Sequence, residues 1–498
     1  MASFEHRALY INFAEHLQNT WNPNMYFLSA PNRWSIEDWD KYFKMISSFG
    51  FNIFEFWLVP TLFDKPALNN SPIHINFAKE MREIINVAHN NNLKVKCQTN
   101  LNCIGPHWYF ACPNDKEERK LIFDLWDFWR RELPDVDIVG FGPGDPGGCN
   151  RKGCSYKTFV ETSLEIYEKI VLKYNPNADM AISTWGSPFS GWDDDMVRVP
   201  NWDGTWEMIT NPTNLSPEIP AHIWNGKRDR CRKAMDYLLS KLKDFPKNCE
   251  FSVNLGFSPN CTYVFGGSSR EWAREIAKTH KVTTWDYALA EGELFTVPHY
   301  RLPRISYKAR EWEAVGAYSG GIIYTMTPKL QMLTTYVSGK ILNDTNTNPD
   351  IAACDFFEAL YGNEHRELGE LFEAFEVLID WGHFPRHQWS KESLREAYLK
   401  IIEHLENADS SECVLPIFPD AETYRKDILW FAKLFLKFTE DNPDRDLIKK
   451  EYWDMCLDIY NYIPKAVDDR AEWASRDFAK AFSREKTWFE PSTYNDFE

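Results

Sequence analysis

No apolar run in this 498-residue chain approaches the roughly 20 residues that a membrane span needs. The opening stretch, Met1 to Phe13, lacks the charged-then-apolar pattern of a secretory signal. Positive charge is scarce as well: 56 Lys and Arg stand against 73 Asp and Glu, a formal net charge of -17. Nucleic acids and anionic membrane surfaces demand a cationic footprint, so neither is an expected partner. No G-x-G-x-x-G follows the first strand pattern, which counts against a dinucleotide fold. A P-loop, the zinc-hydrolase helix motifs, internal repeats and low-complexity tracts are absent too. Eleven cysteines in a chain without a signal point to a reducing compartment, so the expected location is cytoplasmic.

Aromatic residues are in excess. They make up 15% of the chain and include 21 Trp. Core packing absorbs most of them. Sugar-binding clefts are a second sink, because a flat ring covers the apolar C–H face of a pyranose.

The chain is too long for one compact core, so two domains are expected. Strand patterns fall at Ala8–Phe13, Asn52–Leu58, Leu93–Thr99, Asp137–Phe141, Asp179–Trp185, Glu250–Leu255, Val282–Asp286 and Gly321–Thr325. Helical patterns lie between them at Ser35–Phe49, Phe77–Asn90, Asp115–Leu133, Tyr156–Lys173, Arg230–Asp244 and Arg270–His280. Eight strands alternating with helices predict a parallel sheet closed into a (β/α)8 TIM barrel over 1–349, with an open doubly wound sheet as the alternative. From residue 350 the pattern becomes helix after helix: Asp350–Tyr361, Glu364–Asp380, Lys391–Asn407, Asp420–Thr439, Leu447–Ile463 and Asp468–Ser483. That predicts an α-helical C-terminal domain over 350–498.

Active sites of such barrels sit on the loops that follow the strands. After the fourth strand comes Phe141-Gly142-Pro143-Gly144-Asp145-Pro146-Gly147-Gly148-Cys149. Its glycines and prolines fix an irregular backbone that presents one carboxylate, Asp145. A general acid needs that arrangement, and so does a tight turn capped by its own Asp. After the seventh strand come Asp286, Tyr287, Glu291 and Glu293. Asp286 and Glu291 are candidate catalytic partners; Tyr287 and Glu293 are candidate substrate contacts. Glu55 sits inside the apolar run Phe54-Glu55-Phe56-Trp57, so it must face the barrel mouth or pair with a cation. Trp57, Trp108, Trp185, Trp192 and Trp285 all fall at or just beyond strand ends, which favours a sugar platform over packing alone. Asn100, Asn102, His107 and Asn254 are placed to bind hydroxyls, and Tyr324 of the eighth strand joins the substrate-binding set. The fifth connection, 186–227, is long and rich in Trp, Asp, Asn and Pro.

A resemblance builds on these residues. Cys112-Pro113-Asn114-Asp115, a helix, then Pro134-Asp135-Val136-Asp137 leading to Gly144-Asp145-Pro146-Gly147-Gly148-Cys149 and Cys154 resembles a large bacterial family of glycoside-hydrolase-like barrels. In that family a Cys precedes the helix, and a strand ending in Pro-x-Asp-Gly precedes closely spaced Cys residues. The order Arg270-Glu271-Trp272, Val282 to Tyr287, Val297-Pro298, Val315 to Gly321 and Phe356 to Gly362 is similar as well. The likeness spans about Leu93 to Gly362. The family is related in fold to β-hexosaminidases, α-glucuronidases and endo-β-N-acetylglucosaminidases that release N-glycans. The resemblance therefore implies a glycosidase for oligosaccharides or glycoconjugates, with N-acetylhexosamine among the candidate units, and a substrate-assisted route. It makes Asp145 the carboxylate after strand four. Where hexosaminidases carry Asp-Glu, this chain has Asp145-Pro146. The alternatives are a non-catalytic carbohydrate-binding barrel and a metal-dependent sugar isomerase or lyase.

The clustered cysteines carry a separate expectation. Cys112 follows strand three, and Cys149 and Cys154 follow strand four, so a barrel makes them neighbours. They are free buried thiols, a disulfide if the protein is exported, or ligands of a structural zinc, with Cys103 or His107 as a fourth ligand. No other cofactor is expected.

Overall fold

Short runs rich in β-branched and aromatic residues form eight parallel strands that close on themselves. The computed structural model describes residues 2–11, 34–60, 62–105, 109–143, 149, 151, 153–183, 198–200, 206–208, 233, 235–252, 267–283, 298, 300, 302–325, 330–378, 389–444, 447–448 and 450–451. The barrel strands are β1 (His6–Ile11), β2 (Ile53–Leu58), β3 (Lys94–Asn100), β6 (Ile138–Gly142), β7 (Asp179–Ser183), β10 (Glu250–Ser252), β11 (Lys281–Thr283) and β12 (Ser319–Thr325). Their order around the barrel is β1-β12-β11-β10-β7-β6-β3-β2. All eight strands coincide with the strand patterns of the sequence, and the barrel is closed rather than an open sheet.

Alternation along the strands divides the buried residues into two sets. Leu9, Phe54, Phe56, Val95, Val139, Met180, Phe251 and Val282 share one large core with the surrounding helices. The alternate residues Ala8, Ile53, Ile138 and Ala181 form a separate small cluster, inside the barrel. Register aligns Tyr10 with Glu55, and Glu55 with Lys96. Polar and charged side chains thus enter the barrel interior from neighbouring strands.

Helix α1 (Ile36–Ser48) shows why the helices sit where they do. Ser35 and Asp38 form a capping box at its start. Trp39, Tyr42, Phe43, Met45 and Ile46 recur at helical spacing and are buried against the sheet. The helix stops at Gly50, whose φ of 103° suits glycine. Helices α2 (Lys65–Leu68), α3 (Pro72–Asn90), α4 (Lys116–Glu132), α5 (Tyr156–Ile166), α6 (Gly267–Ala277), α7 (Leu302–Ala314) and α8 (Met332–Asn343) complete the described shell of labelled helices. The span Tyr156–Lys173, expected as one helix, contains a π-helical turn at Tyr167–Val171. Helix α7 has no counterpart among the helical patterns of the sequence.

Two small antiparallel pairs also depart from expectation. β4 (Cys103–Ile104) and β5 (Tyr109–Phe110) pair within the loop after β3. β8 (Arg198–Pro200) and β9 (Trp206–Met208) pair within the long fifth connection.

Beyond α8 the chain is helical. α9 (Pro349–Tyr361), α10 (Lys391–Asn407) and α11 (Ala421–Phe438) match the expected helices. The single helix expected over Glu364–Asp380 is instead broken into a 3-10 turn at Asn363–His365, a helical turn at Leu368–Leu371 and a 3-10 stretch at Phe372–Leu378. Gly369 sits directly on the backbone of Ala353 and Cys354, a close approach that dictates where this segment crosses α9. The expected helices Leu447–Ile463 and Asp468–Ser483 fall outside the described residues, apart from helical residues at 447–448 and 450–451. The C-terminal helices share the barrel's core. Tyr336 packs on Phe356, Trp34 packs edge-on against Phe418, and the Phe418 amide donates to Met45 Sδ at 3.4 Å.

Candidate functional site

Four charged or ionisable side chains meet inside the barrel below its mouth. His6 Nδ1 lies 2.5 Å from Glu250 Oε1. Lys96 Nζ lies 3.5 Å from Glu55 Oε2 and 3.7 Å from Glu250 Oε2. None of the four is more than 3% exposed. Desolvating ions costs several kcal/mol each, so such a layer persists only if its members compensate one another. Burial pushes the Glu55 carboxyl above the usual range, against the opposing pull of Lys96. Burial acts on Glu250 in the same sense, but the His6 hydrogen bond and the charges of Lys96, His6 and Lys281 outweigh it. Glu250 is thereby held below the usual carboxylate range. The network therefore treats its two acids differently: Glu250 is the settled anion.

The sequence left Glu55 two outcomes, and pairing with a cation is the one found. Its partners Lys96, Glu250 and His6 went unnoticed in the sequence. Lys96 carries the same signature as Glu55, a charge between two buried apolar residues, Val95 and Cys97.

Above this layer the interior positions nearer the mouth are polar. Gln98 and Ser183 are largely buried, and Ser252 and Thr283 nearly fully so. Gln98 leans over Gly140, where a β-carbon would collide with its amide. Trp57 at the end of β2 is half-buried and packs on the core. Asn102 is fully buried and its Nδ2 donates to the Ala111 carbonyl at 2.7 Å. Its amide nitrogen therefore braces the β4–β5 hairpin. Tyr324 is paired in register with Tyr10; its side chain lies outside the described residues.

Asp145, Asp286, Glu291, His107, Trp108, Trp185, Trp192, Trp285, Tyr287 and Glu293 all lie outside the described residues. What the structure fixes is where the strands before them end. Asp145 is the third residue after Gly142, the last of β6. Trp185 is the second after Ser183 of β7, and Trp285 and Asp286 are the second and third after Thr283 of β11. In a barrel these chain positions open the loops over the mouth.

A second cluster lies where the loop before α4 meets the loop before α5. Cys112 and Cys154 are buried and Cys149 is half-buried. The three sulfurs lie within 4.8 Å of one another, with Cys112 and Cys154 at 3.2 Å. Cys103 is buried in the hairpin and does not join them. Among the described residues no helix is long and apolar enough to cross a membrane.

No protein-family model matches the sequence, and no curated protein matches it either. Solved structures do match. CpGH84B aligns over 97% of this chain and 77% of its own, at 13% identity and a TM-score of 0.50. A GH138 enzyme that targets pectin rhamnogalacturonan II aligns over 97% and 84%, at 10% identity and a TM-score of 0.45. A point mutant of the O-GlcNAc hydrolase of Thermobaculum terrenum aligns over 97% and 95%, at 12% identity and a TM-score of 0.43. At these identities the likeness is one of fold: the chain is a (β/α)8 barrel of the architecture found in glycoside hydrolases.

Proposed function

We propose that this protein is a glycoside hydrolase acting on an oligosaccharide or glycoconjugate, with N-acetylhexosamine-containing substrates as the leading class. The observation that carries the reading is the closed parallel barrel whose strands β6 and β11 run, within three residues, into Asp145 and Asp286. The fold likeness to CpGH84B supports it. Asp145 serves as the carboxyl group on the β6 loop, protonating the departing glycosidic oxygen or steering a substrate acetamido group. Asp286 or Glu291 supplies the second carboxyl group that glycosidases require. The Trp side chains that follow β7 and β11 supply the sugar platform, and the expected partner is a carbohydrate.

The test is a panel of aryl glycosides, including N-acetylhexosaminides, with Asp145→Asn, Asp286→Asn and Glu291→Gln alongside the parent protein. A cleaved glycoside whose kcat falls roughly 10²–10⁴-fold in Asp145→Asn supports the assignment. Full activity in Asp145→Asn sinks it.

Pro146 favours one other reading, a barrel that binds carbohydrate without cleaving it, because it stands where related enzymes carry the acid. Saturable saccharide binding by calorimetry, with no turnover across the panel, distinguishes that case.

A further inference from the structure

We propose that Cys112, Cys149 and Cys154 bind a soft divalent cation, zinc in the first place, as three thiolate ligands bracing the loop that leads out of β6. Tetrahedral zinc holds sulfur at about 2.3 Å, which sets its ligand sulfurs about 3.8 Å apart. Three sulfurs converging within 4.8 Å are already near that arrangement and need only sub-ångström shifts to enclose an ion.

The surroundings of the three sulfurs are polar as well as apolar. A buried thiol that serves as a small hydrophobe sits among carbon atoms. Here each sulfur meets an N–H group. The backbone amides of Asn114 and Asp115 are turned toward Cys112, and the amide of Arg151 toward Cys149. Asn114 Nδ2 donates to Cys154 Sγ at 3.3 Å and also to the Gly153 carbonyl at 3.0 Å. N–H donors aimed at sulfur stabilise the charged form and orient it, as outer hydrogen bonds do in metal sites. Cys249 differs: it is fully buried just before β10, and its sulfur faces the Glu250 carbonyl oxygen at 3.8 Å.

The frame around the triad is fixed as well. Glu118 of α4 accepts from the Cys112 amide at 2.6 Å and from Arg151 Nη2 at 2.7 Å. Arg151 Nη2 also reaches Tyr109 Oη at 2.9 Å. The Cys112 turn and the 149–154 segment are therefore already held together before any ion binds. On binding, three S–H protons leave to solvent as three metal–sulfur bonds form and a solvent water takes the fourth position, giving a site of net charge -1 beside the Arg151 guanidinium. Cys149 follows Asp145 by four residues, so the ion anchors one end of the segment that carries this carboxylate. The site is structural and independent of whether the barrel hydrolyses glycosides.

Metal content decides the matter. The full-length chain, purified without chelator or affinity-tag histidines, is measured by inductively coupled plasma mass spectrometry. About one zinc per chain is expected, falling several-fold in Cys112→Ser, Cys149→Ser and Cys154→Ser but unchanged in Cys413→Ser. Replacement by Co²⁺ gives thiolate-to-cobalt charge transfer and the visible bands of a tetrahedral ion. The parent protein alone keeps the test open if the variants fail to fold. Zinc-free protein whose three thiols all react with a thiol reagent after unfolding overturns the proposal. A Cys112–Cys154 disulfide found by peptide mapping of protein purified without oxidant also overturns it.

Discussion

His6 and Glu250 are separated by 244 residues in sequence, yet their side chains meet at 2.5 Å inside the barrel. His6 belongs to the first strand and Glu250 to the sixth, so the contact spans the interior rather than joining neighbours in the sheet. It makes Glu250 the member of the charged layer on which the others depend.

Glu250→Gln is expected to destabilise the protein by about 3–5 kcal/mol, because it leaves Lys96 short of its settled anion and removes the charge facing His6. Glu250 has a depressed folded pKa. Its contribution is therefore fully present above the unfolded carboxylate value of about 4.3 and is lost as pH falls through the lower folded value. Urea unfolding between neutral and acid pH measures this. The Glu250→Gln protein should show a flatter acid limb, and an unchanged limb would count against the assignment.

Glu55→Gln should behave in the opposite way. Burial raises the Glu55 pKa, so ionising it costs the folded state as pH rises above the unfolded value. The substitution is expected to change stability by less than about 1 kcal/mol at pH 7, with Lys96 still paired to Glu250. A double-mutant cycle with Lys96→Met sharpens the point. Lys96→Met alone takes the cation from Glu55 and leaves Glu250 to His6. Adding Glu55→Gln should recover part of the loss, giving a coupling of about 0.5–3 kcal/mol. Strict additivity would show that the two side chains do not share the layer.

Glycine positions offer a packing test. A β-carbon at Gly339 would strike the Phe49 carbonyl oxygen, and one at Gly369 the backbone of Cys354. Backbone cannot swing aside, so Gly339→Ala and Gly369→Ala should each cost at least the roughly 1–3 kcal/mol typical of overpacking. At Gly140 the obstacle is the amide end of Gln98, which can rotate. Gly140→Ala should therefore cost less. Chemical denaturation of the three variants gives the ranking, and a Gly140→Ala loss equal to the others would refute it.

The barrel was legible in the sequence because strands buried on both faces leave compact β-branched and aromatic runs, as in Ile53-Phe54-Glu55-Phe56. Capping residues such as Ser35 marked helix starts directly. Helix α7 was hidden because Leu302–Ala314 mixes charged and apolar residues after a loop-like Tyr300, and its burial is set by tertiary contacts. The break at Gly369 was illegible for a similar reason: a glycine at a close crossing looks like any other glycine until its neighbour is known. At the site, Glu55 drew notice because Phe flanks it on both sides. Lys96 has the same apolar flanks as Glu55, but with Lys94 two residues earlier it does not stand alone as a charge in its strand, and Glu250 opens its strand next to a polar loop. The meeting of Cys112 with Cys149 and Cys154 was readable once a barrel order was assumed, since adjacent strands deliver adjacent loops.

Strand β1 has a temporal consequence. It leaves the ribosome before both of its sheet neighbours and before the buried carboxylate of Glu250, the last of them arriving with β12. Until Ser319–Thr325 has been synthesised, His6–Ile11 is a hydrophobic edge with one side unpaired. Nascent chains stalled before β12 should therefore be the species that chaperones hold and that proteases clip at His6–Ile11.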